Sequence, residues 1–200
     1  MKKASLLAKL KKDGFASEIV SAFREVDRRK FVLPDSQPFA YDDVAMPIGH
    51  GQTISQPYTI AYMLDLLEVK KGQKILEVGS GSGYALGLLN ELTAGGELFG
   101  VEIVPELLIR SRINLAGLKN ISILPASNRL GLLSEAPFSR ILVSAAAKEI
   151  PEELLDQLGD KGIIVCPVKD SIVKICKSNI NPGYKIERHE GFRFVPLVYR

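Results

Sequence analysis

Residues 75–84 read ILEVGSGSGY, an apolar run that stops at three glycines spaced two apart, with an acid, Glu77, inside the approach. Glycine has no Cβ, so such a stretch lets the chain turn sharply out of a strand and lets a ligand come close to the backbone. The residues that follow carry apolar positions at helical spacing, so the turn joins a buried strand to a helix over 83–93. In an open α/β sheet the first strand-to-helix turn is the usual ligand site, beyond the carboxyl ends of the strands where the strand order reverses.

The rest of the chain supports that frame. Strands are expected at 73–78, 97–102, 121–124, 139–144 and 162–168, with helices at 83–93, 105–117 and 150–158 and a mostly irregular stretch at 126–136. Strand and helix in alternation imply a parallel sheet covered on both faces, a Rossmann-like, doubly wound α/β fold. Ahead of it, 3–12 and 16–28 have helical periodicity broken at Asp13-Gly14, and a further helix starts at Pro57 and runs to about Glu68. Between them, 31–56 is rich in proline and glycine and reads as a long irregular loop, which in a compact domain points to function. At the end, 171–177, 184–189 and 192–198 look extended with no helix between, which suggests antiparallel C-terminal strands. The expected organisation is a single domain: 1–56 as helices and a substrate-covering loop, 57–170 as the ligand-binding core, 171–200 as the terminal strands.

With 46% hydrophobic residues, 200 residues suffice to bury one substantial core. The 26 basic and 23 acidic residues leave a net charge of +3, too balanced to imply nucleic acid. Cys166 and Cys176 sit in apolar surroundings without a nearby histidine, so they read as reduced core residues, not as a metal or redox site. The N-terminus lacks the uninterrupted apolar core of a signal peptide, and no run of about 18 apolar residues offers a membrane span. These features place the chain in the cytoplasm without membrane partners; a monomer is expected, though no feature of the sequence reports it.

The glycine spacing discriminates among nucleoside ligands. An acidic residue about 20 positions beyond the turn normally ends the second strand and binds ribose hydroxyls, and Glu102 stands there. A dinucleotide fingerprint, G-x-G-x-x-G, would need glycine at position 84, where this chain has Tyr84. The pattern E-x-G-x-G-x-G, from Glu77 through Gly79 and Gly81 to Gly83, instead resembles motif I of the S-adenosylmethionine-dependent methyltransferases.

The flanking sequence resembles one family of those enzymes, the protein-L-isoaspartate O-methyltransferases. The matching stretches are RKFV at 29–32, AYDD at 40–43, MPIGHGQTISQP at 46–57, ILEVGSGSGY at 75–84, VEIVPEL at 101–107, APF at 136–138, SAAAKEIP at 144–151 and RFVPLV at 193–198. The resemblance implies methyl transfer from S-adenosyl-L-methionine, leaving S-adenosyl-L-homocysteine, to the free carboxylate of L-isoaspartyl residues in damaged proteins and peptides, with no metal. The ester then closes to a succinimide whose hydrolysis returns some normal aspartate. Another carboxyl methyltransferase acting on aspartate in a dedicated peptide, or a binding module without catalysis, stays open from the residues alone.

By the same resemblance Ser55 is the catalytic position, with Thr53 and Ile54 beside it and Arg193 and Val195 lining the substrate cleft. Glu77, Gly79, Gly81, Gly83 and Glu102 would hold the cofactor. From spacing alone, Ser55 serves equally well as a cap for the helix that follows, Glu77 as a partner for loop amides, and 193–197 as an edge strand ended by Pro196. His50 and His189 receive no catalytic role, and those of Tyr41 and Asp43 stay open. One departure is marked: where the family carries G-D-G after the third strand, with the aspartate on the adenine amino group, this chain has Ala126-Ser127-Asn128. Ser127 then takes that place with a shorter, uncharged side chain.

Overall fold

The structure is a computed structural model that describes residues 1–178 and 183–198. Two helices open it, α1 (Lys3–Lys12) and α2 (Ser17–Glu25), parted at Gly14, whose φ of +91° ends the first. They bury Leu6, Leu10, Ile19, Val20 and Phe23 against the core. The second helix is shorter than its periodicity predicts. The Asp27 carboxylate accepts the Arg29 amide at 3.0 Å and starts a 3-10 turn at Arg28–Phe31 instead.

The stretch read as an irregular loop is more ordered than that. After a second 3-10 turn at Pro34–Phe39 it forms an antiparallel hairpin of β1 (Met46–Gly49) and β2 (Gln52–Ile54). The strands are short, Pro47 lies inside the first, and Gly49, His50 and Gly51 all turn with positive φ (98°, 54° and 68°). Proline and two glycines disguise the period-2 pattern: Met46, Ile48 and Ile54 are buried while Pro47 and Thr53 are exposed.

The sheet follows after α3 (Pro57–Leu67). Its elements are β3 (Ile75–Val78), α4 (Tyr84–Thr93), β4 (Leu98–Glu102), α5 (Pro105–Asn114), β5 (Ile121–Pro125), β6 (Phe138–Val143), α6 (Glu152–Leu155), β7 (Leu158–Val168), β8 (Ser171–Ser178) and β9 (Gly183–Glu190). Strand order is β5-β4-β3-β6-β7-β8-β9. The first five strands are mutually parallel, β8 runs antiparallel to β7, and β9 antiparallel to β8. The order reverses at β3, which lies between β4 and β6, so ligand binding is expected at the carboxyl ends of those three strands.

Alternate residues of the inner strands serve two cores. Ile75, Leu98, Leu142 and Ile163 join the larger core, with side chains from α1 to α5; Leu76, Val101, Ile141 and Ile164 join the second, with Leu154 of α6 and Leu130. The mostly parallel, doubly wound α/β architecture is thus as the pattern implied.

Two segments depart from it. The helix expected over 150–158 is confined to 152–155, because the Phe138 amide bonds the Gln157 carbonyl at 2.9 Å and Phe138 pairs with Leu158, drawing the chain into β7 early. Residues 192–198 form no regular strand. The chain leaves β9 at Gly191 (φ +95°), and its only sheet-like contact among the described residues is a bridge from Pro196 to Ala146. Among the described residues, no helix is long and apolar enough to cross a membrane.

Candidate active site

The glycine turn is tied to the sheet before it bends away. The amides of Gly79 and Ser80 both bond the Val101 carbonyl, at 2.9 and 3.1 Å. Gly79, Gly81 and Gly83 have φ of 78°, 53° and 90°, and their surroundings separate their roles. A Cβ on Gly81 would meet Ile48 Cδ1 at 3.1 Å, whereas one on Gly83 would meet Leu115 Cδ1 at 2.8 Å and Ser111 at 3.2 Å. Gly83 lies at the N-terminus of α4, packed on the end of α5 and outside the cavities; Gly79 and Gly81 line them.

Glu102 ends β4 with its carboxylate already oriented. Oε2 accepts the Gly81 amide at 2.7 Å, and Oε1 accepts those of Ile103 and Val104 at 2.9 Å each. A carboxylate has about four lone-pair sites, so three amides leave capacity for a ribose hydroxyl. These bonds also brace the glycine turn.

Glu77 is buried in a different manner. Its Oε1 accepts the Ser144 hydroxyl at 2.6 Å, while Oε2 has no hydrogen-bond partner. Burial pushes this carboxyl up to about 8; the Ser144 hydroxyl opposes that shift, Glu102 adds to it, and the Leu86 amide in the first turn of α4 opposes it. An orphaned, buried carboxylate oxygen is costly unless a ligand supplies a donor or a cation. The α-ammonium of S-adenosylmethionine is such a group. Together with the glycine cradle and Glu102, Glu77 makes the residues at these strand ends fit that cofactor.

Three cavities meet here. An open cleft of about 700 Å³ runs past Gly79, Gly81, Glu102 and Ser127; one of about 490 Å³ touches Ile54, Ser55, Glu77 and Tyr84; and one of about 640 Å³ is lined by Ser55, Gln56, Arg193 and Val195. Among the described residues, only Thr53 and Ser144 line all three. Thr53 comes from β2 and Ser144 from the end of β6, so the hairpin and the sheet face each other across the junction.

Ser55 does not cap α3. The helix's Tyr58 amide is taken at 2.8 Å by the carboxylate of Asp43, whose other oxygen meets Lys9 Nζ at 3.2 Å. Among the described residues the Ser55 hydroxyl has no hydrogen-bond partner. Its carbonyl instead accepts Nη2 of Arg28 at 2.9 Å. Arg28 is fully buried, lies over the Tyr84 ring with its guanidinium carbon 5.0 Å from the centroid, and leaves Nε and Nη1 unpartnered.

On the opposite wall, the Val195 carbonyl accepts the Ala146 amide at 2.8 Å and the Leu197 amide bonds the Ala146 carbonyl at 2.8 Å, which pins 195–197 to the loop after β6. That carbonyl is therefore engaged within the protein, and among the described residues the Val195 amide is free. Arg193 is exposed at the mouth. Ser127, exposed in the main cleft, accepts the Arg129 amide at 3.2 Å and donates to the Arg129 carbonyl at 3.0 Å.

The remaining residues singled out from sequence are structural. Tyr41 donates to Asp27 at 2.6 Å; His189 bonds the Tyr62 hydroxyl at 2.8 Å; His50 is exposed in the hairpin turn. Sequence reasoning missed Arg28, one residue before the quoted RKFV, and Ser144, quoted only as part of a longer stretch. It also missed Gln157, whose side-chain amide clamps the loop after β5 by bonding the Leu130 carbonyl (2.8 Å) and the Leu132 amide (2.7 Å). None has a spacing signal, because each acts on a segment far away in sequence.

A family model described as protein-L-isoaspartate(D-aspartate) O-methyltransferase matches residues 1–200. The chain belongs to that family. Among its relatives, the protein-L-isoaspartate O-methyltransferase of Fervidobacterium nodosum is 41% identical over 189 residues, covering 92% of this chain and 95% of that one. That of Methanothrix thermoacetophila is 40% identical over 202 residues, 99% of this chain and 95% of its own. A solved structure from Plasmodium falciparum, described as a protein-L-isoaspartate O-methyltransferase in complex with S-adenosyl-L-homocysteine, superposes with a TM-score of 0.83 at 27% identity over 98% of both chains. Another protein-L-isoaspartate O-methyltransferase structure superposes with a TM-score of 0.87 at 23% identity; this chain spans 98% of itself and 66% of that one, a likeness of fold.

Proposed function

We infer that this protein transfers a methyl group from S-adenosyl-L-methionine to the free carboxylate of L-isoaspartyl residues in proteins and peptides, the first step of their repair. The observation that carries the reading is the junction of three cavities: Ser55, whose hydroxyl has no partner among the described residues, lines both the cavity that holds the partnerless Glu77 oxygen and the one beside Arg193 and Val195. S-adenosylmethionine supplies a sulfonium-bound methyl, which the substrate carboxylate oxygen takes as the sulfur keeps the electron pair of the breaking bond.

Every other step belongs to the chain's own residues. A carboxylate with an ordinary pKa of about 4 is ionised at neutral pH, so no side chain needs to remove a proton. What remains is alignment, which for well-oriented groups accounts for a large part of a barrier. Ser55 donates its hydroxyl hydrogen to the substrate carboxylate, Thr53 and Ile54 hold the hairpin edge beside it, the Val195 amide takes a backbone carbonyl of the substrate, and Arg193 supplies positive charge at the mouth. On the donor side Glu77 takes the ammonium, Glu102 the ribose, the Gly79–Gly81 turn the amino-acid end, and Ser127 lies by the adenine; Gly83 supports that turn from beneath.

The same reading assigns 57–170 to holding the donor, and 1–56 together with 171–200 to enclosing the acceptor, within one domain. It places the protein in the cytoplasm as a monomer without nucleic-acid partners; the near balance of charge supports the last of these. Methyl transfer to matched peptides containing L-isoaspartate, L-aspartate or D-aspartate tests the reading. Labelling of the isoaspartyl peptide well above the aspartyl one is expected. Preferential labelling of normal aspartate would replace it with a dedicated-peptide methyltransferase, and no binding of S-adenosylhomocysteine at millimolar concentration would leave a module without catalysis.

A further inference from the structure

Ser144 occupies a position that the reading above leaves without a task. It follows β6 directly, and its amide bonds the Val78 carbonyl at 2.9 Å, extending the β3–β6 pairing by one residue. That bond fixes the backbone on which the hydroxyl stands, at the point where donor and acceptor cavities meet. The hydroxyl has a single hydrogen, and it is directed to Glu77 Oε1 at 2.6 Å.

We propose that Ser144 is a positioning residue for the methyl donor: its hydroxyl holds one oxygen of Glu77, leaving the other turned to the amino-acid end of S-adenosylmethionine. Two observations point the same way. Among the described residues Ser144 is the one side chain that bonds Glu77, so without it the carboxylate would be buried with neither oxygen held by any of their side chains. Glu102, meanwhile, acts on Glu77 through space as a like charge, so the anionic form needs a donor. When the ligand's ammonium draws Glu77 into its ionised form, a bond of this length becomes charge-assisted and strong, and it fixes the orientation of the carboxylate plane. The arrangement also divides labour between two serines: the Ser144 hydrogen is committed to the donor side, and that of Ser55 is left for the acceptor.

The proposal rests on the functional reading above and fails separately from it. The test measures calorimetric affinity of the full-length protein for two ligands, S-adenosylhomocysteine, which has the ammonium, and 5′-methylthioadenosine, which lacks the amino-acid end. Ser144→Ala should weaken S-adenosylhomocysteine about tenfold or more and leave 5′-methylthioadenosine within about twofold, while Ser144→Thr, which keeps the hydroxyl, recovers most of the loss. Equal weakening of both ligands, or a threonine variant no better than alanine, would show that Ser144 only packs and overturn the proposal. So would unchanged affinity in Ser144→Ala. If the wild-type protein bound neither ligand, or left isoaspartyl peptides unmethylated, the functional reading itself would fall with it; an active wild type alongside an indifferent Ser144→Ala sinks the proposal alone.

Discussion

On the assignment proposed above, the donor and acceptor halves of the site are built by different means. On the donor side, Glu77 to Gly83 form one continuous stretch, and Glu102 is attached to it by the register of adjacent parallel strands and a bond to the Gly81 amide. On the acceptor side, the hairpin, the loop after β6 and the 193–197 segment lie about 50 to 90 residues apart from one to the next. They are held by a few long-range bonds: Arg28 to the Ser55 carbonyl, Arg110 to the Ile48 carbonyl, Asp43 to the Tyr58 amide, Ala146 to Val195 and Leu197. A ligand identical at every turnover is met by backbone set in the register of adjacent parallel strands. A polypeptide of varying sequence is met by loops around an open cleft.

Breaking the donor half should cost the fold itself. Gly83→Ala puts a Cβ 2.8 Å from Leu115 in a left-handed backbone, and we expect a loss of about 2–4 kcal/mol in urea unfolding. Gly79→Ala, whose nearest added contact is 3.9 Å, should lose only the conformational part, about 1 kcal/mol. Equal losses would remove the distinction between a packing glycine and a lining one.

Glu77 gives the donor half a pH signature. Its carboxyl sits near 8 in the folded protein against 4.5 for a free one, so between those values the folded state carries a proton that the unfolded state has released. Its contribution is fully present below pH 4.5 and falls as pH rises towards 8, by up to about 1.4 kcal/mol per pH unit. An ammonium on the ligand favours the ionised form, so binding S-adenosylhomocysteine at pH 7 should release up to about one proton. Calorimetry in buffers of different ionisation enthalpy reads this, and a buffer-independent enthalpy would contradict it.

The acceptor half breaks differently. Arg28 is a buried cation with no ion pair among the described residues, and Asp43 favours its charge only through space. Such a charge stabilises little, so Arg28→Met should leave unfolding stability unchanged or higher. Turnover on an isoaspartyl peptide should nevertheless fall about tenfold through loss of one charge-assisted bond to the Ser55 carbonyl. Unaltered turnover would make Arg28 a packing element only. The smallest effect is expected from Ser127→Asp, which introduces a charged acceptor where the proposed assignment has the adenine end: affinity for S-adenosylhomocysteine should tighten several-fold, at most about tenfold. No gain would mean that the Ser127 bonds to Arg129 set the loop whatever the charge.

The same contrast explains what was legible in the sequence. The glycine turn, Glu102 and the alternation of elements follow local rules of period and spacing, and the structure keeps all three. The hairpin is hidden in the sequence because Pro47 and two glycines look like loop chemistry, though Met46, Ile48 and Ile54 face inward. Residues 192–198 look like a strand from composition, but their partner is Ala146, some 50 residues earlier. Whether Ser55 caps α3 could not be settled from spacing, since the capping group is Asp43, twelve residues before it. Arg28, Ser144 and Gln157 act across tertiary distance, where periodicity carries no information.

The claim that the two halves are separable is tested most directly by Ser55→Ala, with peptide turnover and S-adenosylhomocysteine affinity measured on one preparation. Turnover should fall about a hundredfold, as expected for a misaligned acceptor, with affinity within about twofold of wild type. A parallel loss of affinity and turnover, or undiminished turnover, would contradict it.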